Sequence, residues 1–280
     1  MGSEQLHLPG LAGGLAADRW VASDEQGVVL LLHGGGQTRH SWHRSGARFA
    51  AAGWTTIALD ARGHGDSAWA PDGDYSMDAL VADLAQVVTG LAVEPVLVGA
   101  SMGGITSLVA VGEKAVVARA LVLVDVAPQV EPAGVQRILD FMASAPDGFA
   151  SLEEVADAIA AYNPHRPRPR NLDGLRKNVR QWDDGRWHWH WDPAFLTVRD
   201  EPSRATQHER LKAAAASVEV PTMLVRGTQS DVVSAEGAEE LQRLIPHATV
   251  REAKAGHMVA GDDNDVFAQQ VVQFLDDSLT

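Results

Sequence analysis

Five short apolar runs punctuate the chain: Val28–Leu32, Thr55–Leu59, Pro95–Val98, Ala120–Val126 and Thr222–Val225. None alternates with polar residues, as expected of strands buried on both faces of a sheet. Between and after them, apolar positions recur at helical spacing over His40–Ala52, Met77–Leu91, Ser101–Gly112, Ala235–Leu244 and Asp265–Leu279. A further run, Ala248–Glu252, reads as the last strand. The first 25 residues hold Gly10, Gly13 and Gly14 between short apolar stretches and suggest an antiparallel hairpin. Strands alternating with helices predict an α/β domain with a mostly parallel sheet.

The alternation stops between Pro128 and about Val218. This stretch lacks a strong strand run. It has helical spacing at Val135–Ala143, Leu152–Ala161 and Leu175–Trp182, a Pro/Arg-rich segment at Asn163–Arg170, and five aromatic residues from Trp182 to Phe195. A long insertion of this kind usually serves as a lid or binding element. The expected division is a core formed by residues 1–127 and 219–280, interrupted by a helical cap at 128–218.

Gly99-Ala100-Ser101-Met102-Gly103 follows one strand run and opens a helical one. This is G-x-S-x-G in the strand–turn–helix context that exposes a serine above a sheet; a plain glycine-rich turn is the alternative. A serine hydroxyl needs a general base. Of the eleven histidines, His257 alone combines a loop after a strand with the chain order Ser, acid, His. Two carboxylates follow strands and could orient it: Asp231, in a polar loop with a glycine, and Asp125, which closes the run Leu121–Val124. The loop favours Asp231, which leaves Asp125 a supporting role in the floor of the site. The Met102 amide and the glycines of Leu32-His33-Gly34-Gly35-Gly36, Gly35 above all, supply candidate oxyanion donors. No Gly-Lys-Ser/Thr or G-x-G-x-x-G pattern accompanies them, which argues against a nucleotide site. Asp60-Ala61-Arg62-Gly63-His64-Gly65-Asp66-Ser67 reads as a structural turn.

Together, Leu32–Gly36, Asp60–Ser67, Gly99–Gly104, Asp231 and Gly256-His257 resemble the α/β-hydrolase superfamily. The narrower resemblance is to its cofactor-free esterases, lactonases, C–C hydrolases and haloperoxidase-like members. It implies an eight-stranded, mostly parallel sheet flanked by helices, with a helical cap inserted after the sixth strand. It also implies a Ser101–Asp231–His257 triad and no cofactor. The serine at 101 separates the chain from the epoxide hydrolases and haloalkane dehalogenases, which carry aspartate there. The expected activity is hydrolysis of a small or medium carboxylic ester through an acyl-enzyme. The same triad would also serve C–C cleavage of a ring-fission diketone, lactone opening or peracid formation. A non-catalytic binding protein on this fold is the remaining alternative.

Composition narrows the partners. The net charge of −14 argues against nucleic acid and anionic membranes. No cysteine is present and no leader is read at the N-terminus, so a cytoplasmic location is expected. The acidity is uneven: residues 128–218 hold 12 Lys/Arg and 13 Asp/Glu, the remainder 11 and 24. Within the insertion, Arg166, Arg168, Arg170, Arg176, Lys177 and Arg180 read as a solvated basic face or as partners of the acidic body. Recognition of a substrate carboxylate is the alternative. In Trp187-His188-Trp189-His190-Trp191, an extended backbone would put the tryptophans on one face and the histidines on the other. With Gly36 and Trp182, these tryptophans are candidate pocket residues, or they seat the cap on the body. The His-x-His pair lacks a third ligand, so no metal site is expected.

Overall fold

The computed structural model describes residues 2–164, 166–197, 204–259 and 264–279. Its centre is an eight-stranded sheet built from β1 (Glu4–Gly10), β2 (Gly13–Trp20), β3 (Gly27–Leu32), β4 (Trp54–Leu59), β5 (Val96–Ala100), β6 (Ala120–Val124), β9 (Thr222–Gly227) and β10 (Thr249–Ala253). The strand order is β1-β2-β4-β3-β5-β6-β9-β10. β1 and β2 form the N-terminal antiparallel hairpin, and β2 also runs antiparallel to β4. Every other pairing is parallel.

The unbroken apolar runs have a direct physical reason. Alternate residues of each central strand enter different cores on the two faces of the sheet. Leu30, Leu97, Leu121 and Leu224 pack on one side with α2 (Met77–Thr89), α3 (Met102–Gly112) and α7 (Ala235–Leu244). Val29, Leu31, Val98, Val122 and Val225 pack on the other with α1 (His43–Ala51) and the C-terminal helix α8 (Asn264–Leu279). Serine caps begin several helices. Ser76, Ser151 and Ser234 accept first-turn amides of α2, α5 (Leu152–Tyr162) and α7, satisfying donors a helix start leaves open. No helix among the described residues is long and apolar enough to cross a membrane.

The insertion between β6 and β9 has two parts. α4 (Pro132–Met142), α5 and a small hairpin of β7 (Val179–Gln181) and β8 (Trp187–Trp189) enclose a core of their own, including Met142, Phe149, Val155, Trp189 and Trp191. The helix predicted over Leu175–Trp182 is instead a short 3-10 turn at Asp173–Lys177 followed by β7. The turn before Trp187 reverses through Gly185 at φ 78°, giving the alternating Trp-His-Trp segment a strand partner. The last helix of the insertion, α6 (Arg204–Ala216), lies against α3, and its Ala215 joins the body's core. Its apolar residues are mostly alanines, so it lacks the strong periodicity that would mark it in the sequence. Residues 198–203 of the expected cap lie outside the described residues.

Three buried histidines hold the Gly34–Gly36 and Ala61–Gly65 loops, and one of them, His190, ties the insertion to the body. His33 donates from Nδ1 to the Gly34 carbonyl (2.8 Å) and accepts the Ala61 amide at Nε2 (3.0 Å). His64 donates to the Arg62 carbonyl and accepts the Gly36 amide (3.2 Å). His190, from the insertion, accepts the Gly65 amide (2.9 Å) and donates to the Gly36 carbonyl (3.3 Å). Each ring uses one nitrogen as donor and one as acceptor, which requires the neutral form. Burial enforces it, pushing His33 down to about 4 and His64 to about 3, with His190 also well below its ordinary value. Nearby, the Asp192 amide bonds the Gly63 carbonyl (2.8 Å) and its carboxylate accepts from Tyr75. The Asp60–Ser67 turn is therefore structural. Asp60 binds the buried Arg39, Arg62 holds Asp83 through two bonds (2.6 and 2.8 Å), and Ser67 bonds the Asp60 carbonyl (2.7 Å).

Two outcomes follow. A Cβ at Gly112 would sit 2.2 Å from the Ala214 carbonyl oxygen, so Gly112→Ala will force α3 and α6 apart. Chemical denaturation should register a loss of about 1–3 kcal/mol. The buried neutral histidines make the fold acid-sensitive. Their folded-state values lie below the unfolded one, so the unfolded chain takes up protons first. Stability is complete above about pH 6.5 and falls as the pH drops towards 4. Between pH 7 and pH 5 the denaturation midpoint should fall by the equivalent of about 2 kcal/mol for each of His33 and His64.

Candidate active site

The carboxyl ends of β5, β6, β9 and β10 lie along one edge of the sheet, where open α/β folds gather their chemistry. β5 ends at Ala100, and Ser101 has φ 45° and ψ −116° before α3 begins. Only small neighbours tolerate so sharp a turn. A Cβ at Gly99 would lie 2.4 Å from the Gly103 oxygen, and one at Gly103 would lie 2.5 Å from the Leu32 oxygen. The Ser101 side chain is thus held clear of the sheet at a helix N-terminus, where negative charge is favoured.

His257 lies four residues past the end of β10. Its Nδ1–H donates to Oδ2 of Asp125 at 2.8 Å, and no protein partner occupies its Nε2 among the described residues. Asp125 immediately follows β6 at φ 48° and is fully buried. Its carboxylate also accepts the Gly227 amide (2.8 Å) and the Ser230 hydroxyl. The acid on His257 is therefore Asp125, and the expected pairing with Asp231 is corrected. The Asp231 carboxylate turns outward, 46% exposed, and binds Arg137 of α4 at 2.6 and 2.9 Å. That guanidinium holds Asp231 below the usual carboxylate range. The 227–233 loop does contribute, but through the Gly227 amide and the Ser230 hydroxyl. The available sequence signal was a carboxylate directly abutting a buried strand, a position Asp accepts better than most residues at positive φ.

The expected oxyanion loop crosses in front of Ser101. Along residues 34–37 and 101–103, most amides are taken: Gly34 by Gln37, Gly36 by His64, Gln37 by the Gly34 carbonyl, Ser101 by Val124 and Gly103 by His33. The Gly35 and Met102 amides have no acceptor among the described residues. The Met102 side chain lines a separate small cavity of about 40 Å³ and not the one above Ser101.

A cavity of about 750 Å³ opens over this group and is lined by Gly35, Ser101 and His257 among others. Of the predicted pocket residues, Gly36, Trp189 and Trp191 line it. The Trp189 and Trp191 rings stack at 5.0 Å, and Phe141 of α4 packs against Trp189 at 5.1 Å. Trp182 and Trp187 do not line it. Trp182 is partly exposed and stacks on His188 (3.7 Å), and Trp187 lies under the Arg176 guanidinium (4.8 Å). Phe141, Met142 and Tyr162 also line the cavity and were missed, because the sequence shows them only as helix positions in α4 and α5. Among the described residues, no cluster of three or more His, Cys, Asp or Glu could hold a metal.

The alpha/beta hydrolase fold family model matches residues 27–263. Esterase Rv0045c of Mycobacterium tuberculosis is 32% identical over 273 residues, covering 95% of this chain and 87% of that protein. The 3-hydroxybutyrate-oligomer hydrolase of Cupriavidus necator is 26% identical, covering 87% of this chain and 86% of its own. A solved structure of the M. tuberculosis esterase Rv0045c superposes with a TM-score of 0.76 at 31% identity, over 99% of this chain and 93% of that one. The chain belongs to the α/β-hydrolase family.

Proposed function

We propose that this protein is a serine carboxylesterase whose catalytic group is Ser101, His257 and Asp125, acting on a small or medium ester under the cap formed by the insertion. The observation that carries the reading is the His257–Asp125 bond. It occupies Nδ1 and leaves Nε2 open in a cavity shared with Ser101. A buried carboxylate on Nδ1 fixes the tautomer in which Nε2 can accept the serine proton, and it stabilises the imidazolium that results.

Ser101 Oγ attacks the ester carbonyl while His257 Nε2 takes its proton. Negative charge on the carbonyl oxygen falls to the two open amides, Gly35 and Met102. Collapse of the tetrahedral intermediate breaks the C–O bond, and the alcohol leaves with the proton from His257. Water, deprotonated by the same Nε2, attacks the acyl-enzyme and releases the acid and the free serine. One ester and one water give one acid and one alcohol. Trp189, Trp191 and Phe141 give the substrate an apolar wall, and the histidine bonds to Gly36 hold the loop carrying the Gly35 amide.

Ser101→Ala should abolish aryl-ester turnover and fluorophosphonate labelling with the unfolding midpoint retained. Residual turnover at the native rate would overturn the mechanism. Asp125→Asn should lower kcat by about 10³–10⁴-fold, with circular dichroism confirming the fold. Asp231→Asn, which loses an exposed ion pair, should change kcat by less than about fivefold. The reverse ranking would return the acid role to position 231.

A further inference from the structure

The cavity above Ser101 differs in charge from the chain that encloses it. The chain holds 37 Asp/Glu against 23 Lys/Arg. No described Asp or Glu lines the cavity, whereas Arg44, Arg166 and Lys177 do, with His40 and His43 beside them.

Much of the basic stretch in the insertion is committed elsewhere. Arg168 binds Asp157 (2.6 Å), Arg176 binds Asp173 (3.5 Å) and Arg180 binds Asp66 (2.5 Å). Arg44 of α1 and Lys177, by contrast, have no carboxylate partner among the described residues. Burial above all, then the Arg39 charge, holds His40 below its ordinary value, with Asp18 and Asp60 opposing and Lys177 adding a smaller push in the same direction. The cavity is thus two-sided. Ile138, Phe141, Met142, Trp189 and Trp191 supply apolar surface, and the cations come from α1 and from residues 166–177. The acidic exterior does not cancel this arrangement, because exposed charges are largely screened beyond a Debye length of about 8–10 Å.

We propose that the substrate carries a carboxylate remote from its scissile carbonyl, received by Arg44, Lys177 and Arg166, with its apolar part against Phe141, Trp189 and Trp191. This rests on the hydrolase reading above and names the substrate class for that site. The anion neutralises Arg44 and Lys177, which have no carboxylate partner among the described residues, and charge-assisted bonds to Lys and Arg are stronger than neutral ones.

The test uses two matched ester pairs. One is the para-nitrophenyl monoester of adipic acid against its methyl-capped diester, with the charge on the acyl side. The other is 4-acetoxybenzoate against methyl 4-acetoxybenzoate, with the charge on the alcohol side. Rates are corrected for uncatalysed hydrolysis. In at least one pair, kcat/KM should favour the anion by about tenfold or more, and the preference should shrink as salt rises from about 50 to about 500 mM. Lys177→Ala and Arg44→Ala should each cut that ratio by about threefold or more. Lys177→Arg should keep it, as should Arg168→Ala, whose cation is engaged with Asp157. The proposal is overturned if the neutral ester is preferred or equal in both pairs. It is equally overturned if the ratio survives combined loss of Lys177 and Arg44. Absence of Ser101-dependent turnover on all four esters would instead overturn the hydrolase reading itself.

Discussion

Adjacent parallel strands β5 and β6 are each followed at once by a residue forced into left-handed backbone, Ser101 at φ 45° and Asp125 at φ 48°. Conformations of this kind cost on the order of 1–3 kcal/mol each and persist only where their surroundings over-determine them. Here the surroundings are the apolar strands themselves, buried on both faces and flanked by helices. The strain turns both side chains away from their strands at the carboxyl edge. His257 arrives from β10, reaches Asp125 with Nδ1 and leaves its other nitrogen open. The positions of the oxyanion loop, the cavity and the insertion acquire chemical meaning only relative to these two turns.

The insertion is bound to the body at the glycine loop beside Ser101. His190 bridges from the insertion to both Gly36 and Gly65, and His64 holds Gly36 from the other side. The loop carrying the Gly35 amide is thus fixed by neutral imidazoles from two parts of the chain. At the other end, Arg137 of α4 clasps Asp231 on the body. A carboxylate with the look of a catalytic acid thus links the insertion to the body. The same two-part construction separates the acidic body, which carries most of the net charge, from a cavity whose described lining holds cations and no acids.

Much of this was legible in the residues. The apolar runs are strands because both sheet faces are covered, and Gly99, Gly103 and Gly104 surround Ser101 because nothing larger fits the turn. His257 stood out by chain order and by its place after the last strand. The acid did not. Asp125 and Asp231 both follow strands, and nothing local distinguishes a carboxylate aimed inward at φ 48° from one aimed outward at an arginine 94 residues away in sequence. The tryptophans were equally undecided: alternation put them on one face, but only the docking of the β7–β8 hairpin selected Trp189 and Trp191 for the cavity. Helix α6 escaped notice because alanines pack closely without producing a strong periodic signal.

The sequence by itself determined the α/β alternation, the sharp turn at Ser101, the place of His257 after the last strand and the loop of small residues at Gly34–Gly36. These depend on backbone sterics and local order, which a short stretch of residues encodes. The tertiary structure alone decided which carboxylate meets His257 and which aromatics line the cavity above Ser101. Each of those depends on the direction of a side chain and on a partner distant in sequence, brought near only when the strands align and the insertion docks.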